Sequence, residues 1–325
     1  MAESEKSRGK SCLKYGCFGC LAVAGLGLVV GGVIALMVRA ELNRQPMRET
    51  TETTRQLPAV KQPTMVEIEP GREAETFLLT DFDVAEPGRI ILDLQDGSFS
   101  VEAGPEGEPI RVIADYDKAG FELTESYESY GETGWVYRLG YRKTSWFRFV
   151  INDDRHGDNV RLIIPRGTPV TLEGEIGPGV SRLELGGLWL LDTKLELNAG
   201  EHRIEFDEPL LTPMKGFHIE SSAGQVTVSG LGYASPLSAS MDHSMGELVV
   251  DLEGPWARDA EIRAEGSMGA MMIHLPDDVG IDFKNPGIML GEASTRGARN
   301  RPREVPGRPT LEVTAKMSLG ELVVR

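Results

Sequence analysis

Two histidines and five methionines gather around two glycines: Met241, His243 and Met245 before Gly246, and Met268, Met271, Met272 and His274 around Gly269. Thioether and imidazole are soft ligands that suit Cu(I), so this is the one group in the sequence with the makings of a metal centre. Its spacing favours a plainer role. Met245 and Met268 each stand directly before a glycine, and Met271 falls at an inward strand position, where methionine serves as adaptable core filler. Asp153, Asp154 and Asp158 crowd one turn with the oxygen chemistry of a Ca²⁺ loop, although a solvated turn accounts for them better. Cys17 and Cys20 form a Cys-x-x-Cys pair without the second pair that a zinc site needs. With Cys12 they are the only cysteines, so residues 21–325 fold without disulfides. Membrane-embedded filler is the favoured reading of the three, and acylation of a juxtamembrane cysteine comes next. There is no His-Glu-x-x-His pair, no phosphate-cradling loop and no serine elbow, and Ser235 breaks the dinucleotide-like start at Gly230 and Gly232. The sequence therefore predicts no enzyme, no catalytic residue, no metal and no cofactor.

The elements that carry these residues repeat. Glycine returns about every 22 residues, at Gly157, Gly179, Gly200, Gly224, Gly246, Gly269, Gly291 and Gly320. A fixed period of that size marks a stacked architecture in which each unit buries its apolar face against its neighbours. After Gly246, Gly269 and Gly320, apolar residues fall at alternate places: Leu248, Val250 and Leu252; Met271, Ile273 and Leu275; Leu322 and Val324. Period two is the pattern of a strand with one face inward. Gly224 keeps two places, while Gly200 and Gly179 put His202 and Ser181 at the first. Gly97 heads Phe99, Val101 and Ala103 on the same template. Gly157 is one place out of phase, and Gly291 hardly fits.

A second alternating stretch lies between successive glycines, as in Leu195 and Leu197, Phe217 and Ile219, or Ala260, Ile262 and Ala264. Two strands and two turns per unit fit one coil of a β-solenoid, and a β-sandwich of short strands is the alternative. The expected fold is all-β, a toast-rack or β-helix-like solenoid, with 157–325 as regular repeats and 66–156 as N-terminal strands and cap. Strands are expected at 77–79, 90–94, 99–103 and 110–114.

Cys17 to Met37 run without a charge, and at about 1.5 Å per residue such a stretch spans a hydrocarbon core of roughly 30 Å. The reading is one uncleaved transmembrane helix over 17–37, with a cleaved signal peptide as its rival. Residues 1–16 then form a basic tail and 38–65 a polar tether. The positive-inside count on the two flanks is a tie, so the expected orientation, N-terminus cytoplasmic and domain outside, rests on architecture. Gly27, Gly31 and Ala35 make a small-residue stripe through which two helices could pack as a homodimer. The net charge is −16; residues 1–65 carry nine Lys and Arg against five Glu, leaving 66–325 near −20 and a poor partner for nucleic acid.

The stretch LDLQDGSFSVEAGPEGEPIRVIAD, ending at Asp115, and glycine-headed units such as AGQVTVSG, MGELVVDLEGPWARDAEI and MGAMMIHLPDDVGIDF carry a resemblance. They are similar to bacterial putative-adhesin or toast-rack domains, which themselves resemble the C-terminal part of LiaF-type envelope-stress proteins. The resemblance covers most of 66–325 and rests on a repeat pattern. It implies an all-β, solenoid-like, often membrane-tethered domain that senses, scaffolds or adheres at the envelope. It supplies no catalytic residue. LiaF-type proteins usually have several membrane helices where this chain has one.

Two features could meet a partner. Trp146 and Arg148 lie in an aromatic and basic stretch suited to a membrane interface or a sugar ring. Arg296, Arg299, Arg301, Arg303 and Arg308 fill the longest interval of the repeat and could dock on anionic lipid or protein. The leading expectation is a membrane-anchored, non-catalytic module for envelope sensing, scaffolding or adhesion. An envelope polysaccharide-binding domain is second, and a β-helix polysaccharide-active enzyme third.

Overall fold

A computed structural model describes residues 30–33, 35–36, 47–58, 86–131, 133–144, 158–284, 287–294 and 308–325. The chain divides into two units, Met1–Met47 with Ser145–Arg155, and Arg48–Thr144 with His156–Arg325. In the first, residues 30–33, 35 and 36 are helical and exposed, and a methyl group added at Gly31 would meet nothing. Most of the expected 17–37 span, Gly27 included, lies outside the described residues. Among the described residues no helix is long and apolar enough to cross a membrane.

The second unit is all-β. In chain order its strands begin with β1 (Arg48–Arg55), β2 (Gly88–Leu94), β3 (Gly97–Gly104), β4 (Ile110–Asp117), β5 (Phe121–Tyr130), β6 (Gly134–Lys143), β7 (Asn159–Pro165), β8 (Pro169–Ile176) and β9 (Gly179–Glu184). They continue with β10 (Trp189–Leu197), β11 (Gly200–Glu205), β12 (Gly216–Ser221), β13 (Gly224–Ser229), β14 (Ser238–Asp251), β15 (Ala260–His274), β16 (Gly280–Phe283), β17 (Gly287–Ser294) and β18 (Thr310–Val324). One short helical turn, α1 (Leu231–Ala234), interrupts them. All are hydrogen-bonded into one sheet.

The repeat units pair in parallel, first half on first half and second half on second half. β8, β10, β12 and the first halves of β14, β15 and β18 form one run, and β9, β11, β13 and the second halves of the same long strands form the other. Inward positions coincide from unit to unit, so Val101, Leu183, Ile204, Val228, Val250, Ile273 and Val324 make one buried column. Alternation within each strand and register between strands thus produce one continuous core. Truncating a buried leucine or isoleucine of this kind to alanine typically costs about 2–5 kcal/mol.

The glycines form a column of their own. Gly97, Gly179, Gly200, Gly224, Gly246, Gly269, Gly320 and Gly291 lie in register, each beside the next. At Gly224 the backbone has φ 103°, and an added Cβ would fall on the carbonyl oxygen of Gly200. Both the positive φ and the close approach exclude a side chain there. β7 pairs Asn159 with Ser98, and the Ser98 amide donates to the Asp158 carbonyl oxygen, while Gly157 lies outside the described residues. Gly291, which fits the template poorly, belongs to the column nonetheless, opposite Gly320.

Spatial order departs from chain order at both ends. β2 and β3, first among the parallel units in sequence, lie between β6–β7 and β8–β9. β18, last in sequence, lies between β15 and β16–β17. The expectation that the early strands cap the stack therefore applies to different strands. β2 and β3 are internal, whereas β1 and β5 lie outermost through antiparallel pairing with β4 and β6. β1 also falls inside the segment expected to be a tether, and the strand expected at 77–79 is outside the described residues.

Candidate binding face

Where each unit turns from its first half to its second, two rows of outward side chains flank the corner. The fourth place before each glycine is acidic in six units: Asp93, Glu175, Glu196, Glu220, Asp242 and Glu265 lie in register, and Lys316 closes the row. Strands pair about 4.8 Å apart, so these carboxylates repel their neighbours unless a cation intervenes. At the ends cations do: Arg142 bonds Asp93, Lys316 Nζ lies 3.0 Å from Glu265, and Arg263 lies 2.6 Å from the same carboxylate. These bonds hold the Glu265 carboxyl below its ordinary range. Among the described residues Glu196, Glu220 and Asp242, in the middle, make no ion pair, and partial burial together with Glu265 and Glu220 pushes the Asp242 carboxyl up.

The corner itself carries Ser222, Ser244, Ser267 and Ser318, which line two shallow depressions of 210 and 370 Å³ together with Glu220, Asp242 and Glu265. Immediately before the glycines stand Met245, Met268, Leu319 and Leu290, in register and all exposed. The face is therefore a ridge with an acidic flank, a hydroxyl crest and an apolar flank. Its chemistry suits an extended partner with cationic and apolar groups. The acidic row was missed in the sequence because its members lie 21–24 residues apart over most of its length, but it follows the glycine period and could have been found by reading each unit backward from its glycine.

Beneath the ridge lie buried histidines. Ser181 and His202 occupy the same inward place in adjacent units, with Oγ 2.8 Å from Nδ1, and His202 Nε2 lies 2.8 Å from the Asn198 carbonyl oxygen. Ser221 and His243 repeat the pairing at 2.6 Å, and His243 Nε2 is buried with no hydrogen-bond partner among the described residues. Burial lowers both imidazole pKa values, offset in part at His202 by the Asn198 carbonyl.

The structure disperses the residues that suggested copper. Met241, His243 and Met271 point into the core, Met245 and Met268 are exposed, and His274 Nε2 is 3.3 Å from Arg325 Nε. Among the described residues no three His, Cys, Asp or Glu side chains gather as metal ligands. Asp158 is engaged by Tyr141 Oη at 2.6 Å and by the Asp117 amide, while Asp153 and Asp154 are outside the described residues. Gly230, Gly232 and Ser235 form the return turn around α1, where Ser235 Oγ donates to the Gly232 carbonyl and accepts from the Ala257 amide. Trp146, Arg148, Arg296, Arg299, Arg301 and Arg303 lie outside the described residues; Arg308 donates to the Asp278 carbonyl oxygen at 3.0 Å.

No family model matches the sequence, and no curated protein matches it. Among solved structures the chain is similar to a putative cell adhesion protein from Clostridium sporogenes, with 11% identity and a TM-score of 0.39 over 86% of this chain and 99% of that one. It is also similar to a putative adhesin from Bacteroides fragilis, with 11% identity and a TM-score of 0.38 over 87% of this chain and 100% of that one.

Proposed function

We propose that this chain is a non-catalytic β-solenoid of the toast-rack kind, held at a membrane by residues 17–37, whose ridge engages a partner at the cell envelope in adhesion, scaffolding or sensing. The observation that supports this reading is the register of the outward rows. Catalysis needs unlike groups brought to one point. Here like groups are laid out in columns, carboxylate beside carboxylate and methionine beside methionine, which favours contact spread along a partner. Many weak, spaced contacts sum to firm attachment when the partner presents matching groups at a compatible spacing. The uncharged stretch 17–37, long enough to span a bilayer, supplies the hold.

The test has two arms. The full chain should stay with membranes through an alkaline wash, a chain lacking 17–37 should not, and a reporter active only outside the cytoplasm should work when fused after Arg325. A soluble full chain or a silent reporter ends the placement. Residues 48–325 should bind intact envelope fractions, and charge reversal at Glu196, Glu220 and Asp242 should weaken that binding at least about tenfold, the effect of roughly 1.4 kcal/mol. Unchanged binding removes the ridge from the function. Purified peptidoglycan, run in parallel, tests the polysaccharide reading.

A further inference from the structure

The two ends of the stack are finished differently. At one end β1 reads RETTETTR and β5 reads FELTESYESY, both pair antiparallel, and both are rich in charge. Charged outer strands are a usual guard against a sheet edge recruiting another chain. At the other end β17 reads GIMLGEAS, with Glu292 its one charge, no lysine and no proline. Among the described residues β17 pairs with β18 alone. Met289 is 81% exposed and Leu290 68%, and Ala293, in register with the core residue Leu322, is exposed too. A terminal unit of a stacked repeat requires a polar outer face or a cover, because the core otherwise ends in water.

The chain's own neighbouring segment is poor material for that cover. Residues 295–307 offer Ala298 and Val305 as their aliphatic side chains beside Arg296, Arg299, Arg301 and Arg303. We propose that the cover is a second copy of this chain: two β17 strands pair antiparallel about a two-fold axis near Leu290 and join two stacks end to end in one sheet. Self-complementary two-fold contacts are the commonest closed assembly. A pairing centred on Leu290 sets Glu292 opposite Ile288 of the second copy, so the two carboxylates do not face each other. The apolar row Met245, Met268, Leu319 and Leu290 then continues across the junction. Because the opposite end is guarded, assembly stops at two copies and does not run on into a filament.

This surface is separate from the Gly27, Gly31 and Ala35 stripe, and the experiment keeps them apart. The full chain in detergent should sediment as a dimer, and Leu290→Lys should halve its mass while leaving the thermal midpoint of the monomer-forming fold intact. In a chain with Cys12, Cys17 and Cys20 replaced by serine, Leu290→Cys should form a 290–290 disulfide on mild oxidation. Glu49→Cys, on the guarded edge, should form none, and adding Gly31→Leu should leave the 290 crosslink unchanged. A monomeric parent chain, a dimer indifferent to Leu290→Lys, or no crosslink through residue 290 overturns the proposal.

Discussion

Ser181 hands its hydroxyl to His202 at the same register position one unit further along, 2.8 Å away inside the core, where the neighbouring units place Phe99 and Val226. The pair sits where the apolar alternation of the sequence lapses twice in succession, and each lapse satisfies the other. With the Asn198 carbonyl on Nε2, the ring is fully bonded as the neutral Nε2–H tautomer. A second proton, on Nδ1, would turn Ser181 Oγ from donor to acceptor and leave a positive charge buried in the core.

Acid should therefore unfold the domain early. Burial depresses the folded pKa of His202 and His243 below the ordinary 6.5. Below 6.5 the unfolded chain takes up protons that the folded chain refuses, so stability present at neutral pH declines as pH falls through 6.5 toward the depressed folded values. Urea midpoints should drop between neutral pH and about pH 5, the range in which histidine charges. His202→Leu, which continues the apolar column from Val226 but leaves the buried Ser181 hydroxyl without its partner, should lower stability and yet flatten part of that slope; an unchanged slope would clear His202 of the effect.

The glycine column predicts a sharp asymmetry among alanine substitutions. Gly224→Ala drives a methyl group into the Gly200 carbonyl and must push the neighbouring strands apart, at a cost of about 3 kcal/mol or more, in the range of overpacking and backbone strain. Gly107→Ala, also at positive φ but with open space around it, should cost about 1 kcal/mol. Equal losses in chemical denaturation would show that φ, and not the contact, sets the column.

Relief of the carboxylate row should stabilise. Asp242→Asn removes a like charge between Glu220 and Glu265 and should add a few tenths of a kcal/mol near neutral pH, a gain reduced by solvent and salt. Because the folded Asp242 pKa is raised, its contribution runs opposite to the histidines: the destabilisation appears as pH rises through the carboxylate range. Thermal melts at low and high salt would measure it, and a gain that grows with salt would contradict the repulsion.

At the guarded end, Glu125 accepts hydrogen bonds from Tyr137 Oη and from Thr53 Oγ1 at 2.7 Å, tying β1, β5 and β6 together. Tyr137→Phe should cost about 1–2 kcal/mol and loosen β1 selectively, because Thr53 alone then holds the carboxylate. Hydrogen exchange of β1 amides would report this, and uniform loss of protection across the stack would mean that the bond is not local.

Much of the fold could be read from the sequence, since alternation and a glycine period are both local signals. Gly224, Gly246 and Gly269 head strands whose inward residues are those the alternation names. Order in space was hidden, because β18 stacks on β15 as well as β16 could, and units with the same apolar template are interchangeable on paper. The Ser181–His202 pair looked like two unrelated departures until register joined them. The acidic row needed the same register: Glu196 and Glu220 are remote in sequence and adjacent across strands.

The displacement of β18 bears on how the molecule is assembled. Units laid down as they are synthesised would put β16 and β17 directly on β15, yet the finished stack holds β18 in that gap, bonded on both sides along much of its length. β18, which follows β17 in the chain, is thus a keystone. Until it slots in, β17 lacks the strand it pairs with, so the open edge and the dimer built on it wait on residues 310–324.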